Sequence, residues 1–369
     1  MKIICNKSEL LKGVNIVSKA VSSKTTMSIL QCILIDASAD RIKLVANDME
    51  LGIETIISGE IKEKGKIALE AKIFSDIIRN LNDDDVIITT DDKNKTNITC
   101  NKAKFNILGR SADEFSYLPQ IDHSDSIVLS QFTLKEVIKQ TIFSISDNDN
   151  SPVMTGELFD INEDNLRVSS LDGHRISIRN VKLKNVYSSK KVIVPGKTLI
   201  EISRIIGDNT DKNVSIFFTP NHILFEFDET VVLSRLIEGD YFNVDQMITK
   251  DYEIKVRANR KELLECIGRS ILLVNEGDKR PIIIDITDGK LELKINSTRG
   301  SMNEDMAITK EGKDLMIGFN PKFVMDVLRV IDSDEIDMYM VNPKSPCFIR
   351  DENDTYIYLI LPINFNTVS

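Results

Sequence analysis

Apolar residues recur with the spacing of an α-helix in three separate stretches of the chain, residues 71–81, 196–206 and 321–331. In the first and third stretches they fall at positions i, i+3, i+4 and i+7, which places them on one side of a helix. Ser203 interrupts the same stripe in the middle stretch. The pattern predicts three amphipathic helices, each with one apolar face and one polar face.

The polar faces of these helices carry the same charges in the same order. Each has a lysine, an acid four residues later and an arginine three residues after that. The three sets are Lys72, Asp76 and Arg79, then Lys197, Glu201 and Arg204, then Lys322, Asp326 and Arg329. They lie 125 residues apart in a chain of 369 residues. This period predicts three similar domains, which we expect at residues 1–121, 122–249 and 250–369.

A second helix and pairs of strands recur with nearly the same period. Residues 8–11, 135–138 and 261–264 share an acid followed by two apolar residues. Apolar runs on either side of turn residues predict hairpin-like pairs of strands. These pairs are residues 29–36 with 42–46, 153–160 with 166–170, and 281–286 with 291–295. Each domain is therefore predicted to be α+β, with two helices packed on antiparallel sheets.

The repeated basic residues indicate a surface that binds a nucleic-acid backbone. Seven residues along a helix bring two side chains to within about 20° of each other, so each Lys and Arg share the face opposite the apolar stripe. The intervening acid shares this face and partly offsets it. The candidate residues from both helices of the repeat are Lys12, Lys19, Lys72, Arg79, Lys135, Lys139, Lys197, Arg204, Lys322 and Arg329.

The net charge of −10 opposes nucleic-acid binding only if the charges are evenly spread. Screening limits the reach of a charge to about 8 Å at physiological salt, so DNA responds to the local surface. Three related domains joined by short linkers tend to form an arc, and its concave side would collect the basic faces. Phosphate contacts of this kind carry no sequence information.

Other classes of function find little support in the sequence. The apolar runs are too short to span a membrane, and the N-terminus lacks the apolar segment of a secretory signal. Five scattered cysteines form no metal motif, which favours reduced thiols in the cytoplasm. Asp172 and His174 could suggest a hydrolase or a metal site, but no nucleophile or second ligand accompanies them. We expect no catalysis, no cofactor, no metal and no membrane partner.

Several motifs resemble those of one known family. They are residues 171–176 with the sequence LDGHRI, residues 318–320 with GFN, and residues 356–363 with YIYLILPI. Together with the repeated Lys/Arg helices, they make the chain similar along its whole length to the bacterial sliding clamp, the beta subunit of DNA polymerase III. The resemblance implies a half-ring of three domains that dimerises head-to-tail into a closed ring around duplex DNA. Such a ring tethers the polymerase for processive synthesis and is opened by an ATP-driven loader.

The resemblance also assigns residues. The pocket for short partner peptides would be built from Met154, Leu171, Gly173, His174, Arg175, Ile176, Phe242, Met247, Ile360, Leu361, Pro362 and Ile363. The dimer interface would include Phe105, Ile107, Leu272 and Leu273. Lys24 joins Lys72, Arg79 and Lys197 among the positions that face DNA. The implied partners are double-stranded DNA, a second copy of the chain, the catalytic subunit of DNA polymerase III, the clamp loader, other DNA polymerases and repair proteins.

The chain departs from the family pattern at three places. Residues 150–152 read Asn-Ser-Pro where an Arg usually precedes the Pro, residues 241–244 read Tyr-Phe-Asn-Val, and residues 366–369 extend the usual tail. The second of these segments borders the predicted pocket. An alternative function is a scaffold that binds proteins without encircling DNA, and neutralising the repeated basic helices would separate the two possibilities.

Overall fold

The computed structural model describes residues 1–22, 24–119, 121, 123, 126–148, 150–274 and 280–365, so the 366–369 extension lies outside the described part. The described chain forms six α-helices, two in each sequence repeat. They are α1 (Lys7–Val17), α2 (Ala71–Asn80), α3 (Gln131–Thr141), α4 (Gly196–Ile205), α5 (Arg260–Ile271) and α6 (Pro321–Val330). Asn6, Asn259 and Asn320 accept hydrogen bonds from the first turns of α1, α5 and α6, which satisfies free backbone donors and begins these helices there.

The remaining regular structure consists of antiparallel strands. In chain order these are β1 (Lys2–Asn6), β2 (Cys32–Asp36), β3 (Ile42–Asn47), β4 (Leu51–Ile57), β5 (Glu60–Glu63), β6 (Lys66–Glu70), β7 (Asp85–Thr90), β8 (Lys95–Cys100), β9 (Ala103–Leu108), β10 (Ser126–Ser130), β11 (Gly156–Leu171), β12 (Arg175–Pro195), β13 (Asn213–Phe218), β14 (His222–Phe227), β15 (Thr230–Arg235), β16 (Ile254–Asn259), β17 (Ile282–Thr287), β18 (Lys290–Ser297), β19 (Gly300–Glu311), β20 (Leu315–Phe319), β21 (Glu335–Met340), β22 (Cys347–Arg350) and β23 (Tyr356–Ile360).

The chain folds into two compact units. Unit 1 comprises residues 1–135 and 197–236, and unit 2 comprises residues 136–196 and 237–369. Unit 1 holds a five-stranded sheet, in the order β5-β1-β7-β8-β9, and an eight-stranded sheet, in the order β10-β13-β14-β15-β4-β3-β2-β6. Unit 2 holds a ten-stranded sheet, in the order β11-β12-β23-β22-β21-β16-β19-β18-β17-β20. The domain boundaries predicted from the sequence stay a prediction, and residue 122 at one of them lies outside the described part.

Helices cover the sheets in each unit. In unit 1, α1 packs on β3 and β4 and contacts α2, and in unit 2, α5 contacts α6 and packs on β18 and β19. Apolar side chains such as Phe74 of α2 and Val327 of α6 are fully buried beneath these helices. The predicted α+β class, with helices packed on antiparallel sheets, is confirmed.

Two of the predicted hairpin strands begin later than the sequence indicates. Ser28–Gln31 and Pro152–Thr155 form 3-10 turns, after which β2 and β11 begin. Ile29 and Leu30 are buried in one apolar cluster with Phe115. Their apolar character therefore reflects packing in the core and not the alternation of a strand. Pro152 has no backbone N–H to donate to a sheet, which favours a turn. The pair β17 and β18 matches its prediction, with Ile284 opposite Leu293.

Candidate functional site

The polar face of α2 is exposed. Lys72 and Arg79 both reach solvent, and Arg79 Nη1 lies 3.4 Å from the Asp76 carboxylate on the same face. Both members of this pair are more than half exposed, and such surface pairs contribute at most about 1 kcal/mol. Arg79 can therefore exchange Asp76 for an external anion at little cost, and the face has a net positive charge.

The equivalent face of α4 is more nearly neutral. Lys197 pairs with Asp48, and Arg204 Nη1 lies 2.5 Å from Glu201. Both cations are exposed, whereas Asp48 and Glu201 are largely buried. Each cation of this helix thus has an acid held beside it.

The first helix of each repeat contributes fewer free cations than the sequence suggests. Lys12 and Lys24 are exposed, but α1 ends at Val17, so Lys19 lies in the following 3-10 turn and not on the α1 face. On α3, Lys135 Nζ lies 2.6 Å from Asp208.

Lys139, one turn further along α3, also has acid partners. Its Nζ lies 3.3 Å from Glu136 and 3.6 Å from Asp332. All three groups belong to unit 2. The positive charge of α3 is therefore partly offset at both of its predicted phosphate-binding lysines.

On α6 the repeat is broken in a way that the sequence does not reveal. Lys322 and Arg329 are exposed, as expected. Asp326 does not pair with Arg329 as Asp76 pairs with Arg79. It accepts a 2.7 Å hydrogen bond from Arg175 Nη1 instead, and only 15% of its side chain is exposed. The expectation that this acid offsets the basic face is therefore wrong for the third repeat.

A tight turn joins β11 to β12 in unit 2. The Asp172 carboxylate accepts hydrogen bonds from the backbone N–H of His174 (2.9 Å) and Arg175 (3.1 Å), which holds the turn closed. Gly173 has a φ of +86°, which favours glycine, and its missing side chain faces open space. Gly173 and His174 are both exposed. The turn presents its backbone and an imidazole to solvent.

Arg175 supports this turn from behind. Its side chain is only 8% exposed, and its guanidinium donates to Asp172 (2.9 Å), Asp326 (2.7 Å) and the Phe143 carbonyl. It also lies over the Phe323 ring, 4.2 Å from the centroid. Burial alone would lower the pKa of Arg175, but Tyr358 and the two carboxylates outweigh burial and raise it. The structure therefore places this predicted pocket residue beneath the surface, with its donors already in use.

A cluster of buried apolar side chains continues from the turn across one face of the sheet. Ile176 of β12 lies opposite Leu359 of β23, Leu359 opposite Phe348 of β22, and Phe348 opposite Tyr339 of β21. We call this row the docking groove, together with the residues packed on it, which are Met154, Leu171, Ile178, Tyr241, Val244, Ile248 and Ile357. It contains the predicted Met154, Leu171 and Ile176. The sequence placed residues 241–244 only at the border of the pocket, and it missed Phe348 and Leu359.

Ile360 does not belong to the docking groove. It is 1% exposed and packs in the core on the opposite side of the sheet, with Tyr358 and Ile349. Side chains alternate along a strand, so Leu359 faces the groove and Ile360 faces away from it. The structure therefore places the Ile360 side chain on the face of the sheet away from the groove and Leu359 on the face of the groove.

The chain that follows β23 closes one end of the groove. The backbone N–H of Leu361 donates to the His174 carbonyl (2.9 Å), and that of Ile363 donates to the Gly318 carbonyl (2.8 Å). Leu361 is 40% exposed, whereas Pro362 and Ile363 are half-buried. A side chain at Gly318 would lie 2.7 Å from Phe365, so glycine lets the tail pack there.

The segment 241–248 forms the opposite rim. The Tyr241 hydroxyl donates to the Ser169 carbonyl (3.2 Å), and Arg167 Nη1 lies 2.5 Å from Asp245, which fastens the segment to β11. Phe242 and Met247 remain 40% and 47% exposed. Both predicted residues thus offer apolar surface beside the groove, despite the departure from the family pattern.

A buried carboxyl lies below this rim. Glu157 is fully buried, and neither of its carboxyl oxygens has a hydrogen-bond partner. Burial raises the pKa of Glu157 to about 8, and the Thr141 hydroxyl offsets only part of the rise. Burial and the proximity of Glu157 also raise the pKa of Tyr241. Burial therefore favours the neutral form of the Glu157 carboxyl.

Unit 1 has an open sheet edge at β9, the last strand of its five-stranded sheet. Phe105 is 37% exposed, Ile107 is half-buried, and Leu108, which the sequence missed, is 74% exposed. Unit 2 has an open edge at residues 300–307 of β19, where β18 pairs on one side and no strand of the described chain on the other. Leu272 is 73% exposed and Leu273 is half-buried in the same unit.

Two further findings bear on the expectations from the sequence. All five cysteines are buried, and none of them forms a disulfide bond. Within the described residues, no helix is both long and apolar enough to cross a membrane.

The repeat, the basic helix faces and the apolar groove together define a clamp-type protein built from three related α+β domains. Family models of the N-terminal, central and C-terminal domains of the DNA polymerase III beta subunit match residues 1–119, 128–243 and 245–364. The chain belongs to the DNA polymerase III beta subunit family, and the prediction of a DNA sliding clamp is confirmed.

Similar proteins extend over nearly the whole chain. The beta sliding clamp of Staphylococcus aureus is 35% identical over 98% of this chain and 99% of its own. The crystal structure of a putative beta subunit from Eubacterium rectale has a TM-score of 0.95 at 66% identity, covering 99% of this chain and 100% of that one. The sliding clamp of Bacillus subtilis also has a TM-score of 0.95, at 33% identity and the same coverage.

Proposed function

We propose that two copies of the chain close head-to-tail into a ring that encircles duplex DNA and tethers DNA polymerases to it. The observation that carries this proposal is the exposed Lys and Arg pair on α2, α4 and α6, repeated every 125 residues. Contacts to phosphates from these faces would be independent of sequence and sensitive to salt, which suits a ring that slides. The chain itself performs no catalysis in this proposal and requires no cofactor. We place it in the cytoplasm.

The two open sheet edges support the ring. Pairing of β9 with residues 300–307 of β19 in the partner subunit would satisfy backbone groups on both edges. It would also cover Phe105 and Leu108 on one side and Leu272 on the other, all of which are exposed in the single chain. Lys104 on β9 and Asp305 on β19, both exposed, have opposite charges. Because the two edges differ, the contact is heterologous, and a ring results when two such contacts close.

The docking groove would bind short segments of partner proteins through hydrophobic anchors. The partners we propose are the catalytic subunit of DNA polymerase III, the clamp loader, other DNA polymerases and repair proteins. Ending the chain after Ile360 keeps β23 and the core but removes the tail that closes the groove. A labelled polymerase peptide that binds the full chain should lose its binding to this truncation, and unchanged binding would refute the assignment of the groove.

Retention on circular DNA tests the ring itself. The chain is loaded onto a nicked circular plasmid with a clamp loader and ATP, and free protein is removed by gel filtration. A ring should remain bound to the circle and be lost when a restriction enzyme linearises the plasmid. A scaffold that does not encircle DNA would show equal retention on both forms. Replacing Lys72, Arg79, Lys322 and Arg329 with Gln should reduce the amount of chain that is loaded onto the circle and leave peptide binding unchanged.

A further inference from the structure

The turn that lines the docking groove has a counterpart in unit 1. Asp48 lies in the turn between β3 and β4, and its carboxylate accepts hydrogen bonds from the N–H groups of Glu50 (3.1 Å) and Leu51 (2.7 Å), as Asp172 does in unit 2. The next residue, Met49, has a φ of +78°, close to the +86° of Gly173. A methionine in this conformation is unusual, so the shared turn geometry is maintained despite its strain.

The strands that flank the two turns also pair in the same way. Gly52 lies opposite Leu233 in unit 1, as Ile176 lies opposite Leu359 in unit 2. The N–H of Arg235 donates to the Glu50 carbonyl at 2.9 Å, the same distance as from Leu361 to His174. The chain therefore contains two junctions of one design, which we call the β3–β4 junction (residues 48–52, 118 and 233–235) and the docking groove.

The β3–β4 junction leaves little room for a ligand. At the β3–β4 junction, Leu118 packs on Gly52 so closely that a side chain at Gly52 would come within 1.9 Å of Leu118 Cδ2. The cavity left beside it has a volume of about 120 Å³. Ligand pockets usually need at least about 300 Å³. Leu118 thus fills the junction with an apolar side chain from the chain itself.

The rim of the β3–β4 junction is also charged. Glu50 and Arg235 occupy the positions of His174 and Leu361, and Arg235 Nη1 lies 3.5 Å from the Glu50 carboxylate. An apolar anchor entering here would have to remove water from both charges. At the docking groove the equivalent positions offer an imidazole and an exposed leucine.

We propose that Leu118, Gly52 and the Glu50–Arg235 pair seal the β3–β4 junction and so restrict partner peptides to the docking groove. This inference rests on the proposed function of the docking groove. It identifies the residues that decide which of two structurally equivalent junctions binds a partner. The absence of a side chain at Gly52 lets Leu118 pack against it, and Leu118 fills the β3–β4 junction. The Glu50–Arg235 ion pair makes the rim of this junction polar.

Reciprocal exchange of residues between the junctions tests the proposal. The opening variant carries Glu50→His, Gly52→Ile, Leu118→Val and Arg235→Leu, which copies the residues at the docking groove. The closing variant carries His174→Glu and Leu361→Arg, both at exposed positions, so it should fold normally. Calorimetric titration with the labelled polymerase peptide measures the number of sites and their affinity, and circular dichroism confirms folding.

The opening variant should bind two peptides per chain where the wild type binds one. The closing variant should bind its peptide at least about tenfold more weakly, equivalent to about 1.4 kcal/mol. A folded opening variant that still binds one peptide, or a closing variant with wild-type affinity, would overturn the proposal. If the opening variant does not fold, the closing variant decides alone. An error in the proposed function of the docking groove would be recognised separately. In that case the chain truncated after Ile360, with no other change, would still bind the peptide.

Discussion

Replacement of Arg175 by Met probes the buried ion network beneath the docking groove. The guanidinium serves two carboxylates, Asp172 and Asp326, whose side chains are only 13% and 15% exposed. Removing one partner of a buried pair typically costs 3–5 kcal/mol because the remaining charge is left without compensation. Here two acids lose their partner, and the Phe143 carbonyl loses a donor. We expect a loss of about 3–5 kcal/mol, which lowers the Tm by on the order of 10 °C.

Thermal melting monitored by circular dichroism measures this effect. Arg79→Met is the matched control, since Arg79 also pairs with an acid but on an exposed surface, 3.4 Å from Asp76. The control should change stability by less than about 1 kcal/mol. Adding Asp326→Asn to Arg175→Met should recover part of the loss by removing one uncompensated charge. If Arg175→Met melts within about 2 °C of the Arg79→Met control, the network does not stabilise the groove as inferred.

Three further predictions concern other parts of the chain. The pKa of Glu157 is raised to about 8 in the folded state, so its contribution to stability is full below about pH 4.5 and is lost as the pH rises through 8. The free energy of unfolding of Glu157→Gln, measured by urea titration, should therefore rise relative to that of the wild type between pH 5 and 9. A difference that does not change with pH would contradict this. Leu108→Asp should convert the dimer to monomers in sedimentation, whereas Val186→Asp, at an equally exposed position, should not; a stable Leu108→Asp dimer would exclude β9 from the interface. Gly173→Ala should destabilise the fold by about 1 kcal/mol because of the positive φ at this position, whereas Gly268→Ala within α5 should stabilise it slightly. If both substitutions changed the free energy of unfolding in the same direction, the positive φ at Gly173 would not be a source of strain.

The departures from prediction share a physical cause. All five residues of β23 are buried, so its sequence shows no alternation that could tell Leu359 from Ile360. A strand covered on both sides is apolar throughout, and its facing is set only by the neighbouring layers. The same holds at Ile29 and Leu30, where burial under Phe115 produces an apolar run without a strand.

Ion pairing was equally beyond the reach of the sequence. Asp76, Glu201 and Asp326 occupy one position of the repeat, and the first two pair with the arginine three residues later. Asp326 pairs instead with Arg175, which is 151 residues away along the chain. The spacing of residues along a helix predicts contacts within that helix, but it does not predict contacts with a side chain of a distant strand, such as Arg175 of β12.

The sequence by itself determined the repeat, the six helices and the basic face of α2, because helical periodicity and the order of charges are local properties of the chain. The tertiary structure alone decided that Leu118 packs at the β3–β4 junction, which side of β23 lines the groove and which cations keep an acid partner. These outcomes depend on contacts such as that of Leu118 with Gly52, between residues that are far apart in the chain and meet only in the folded structure.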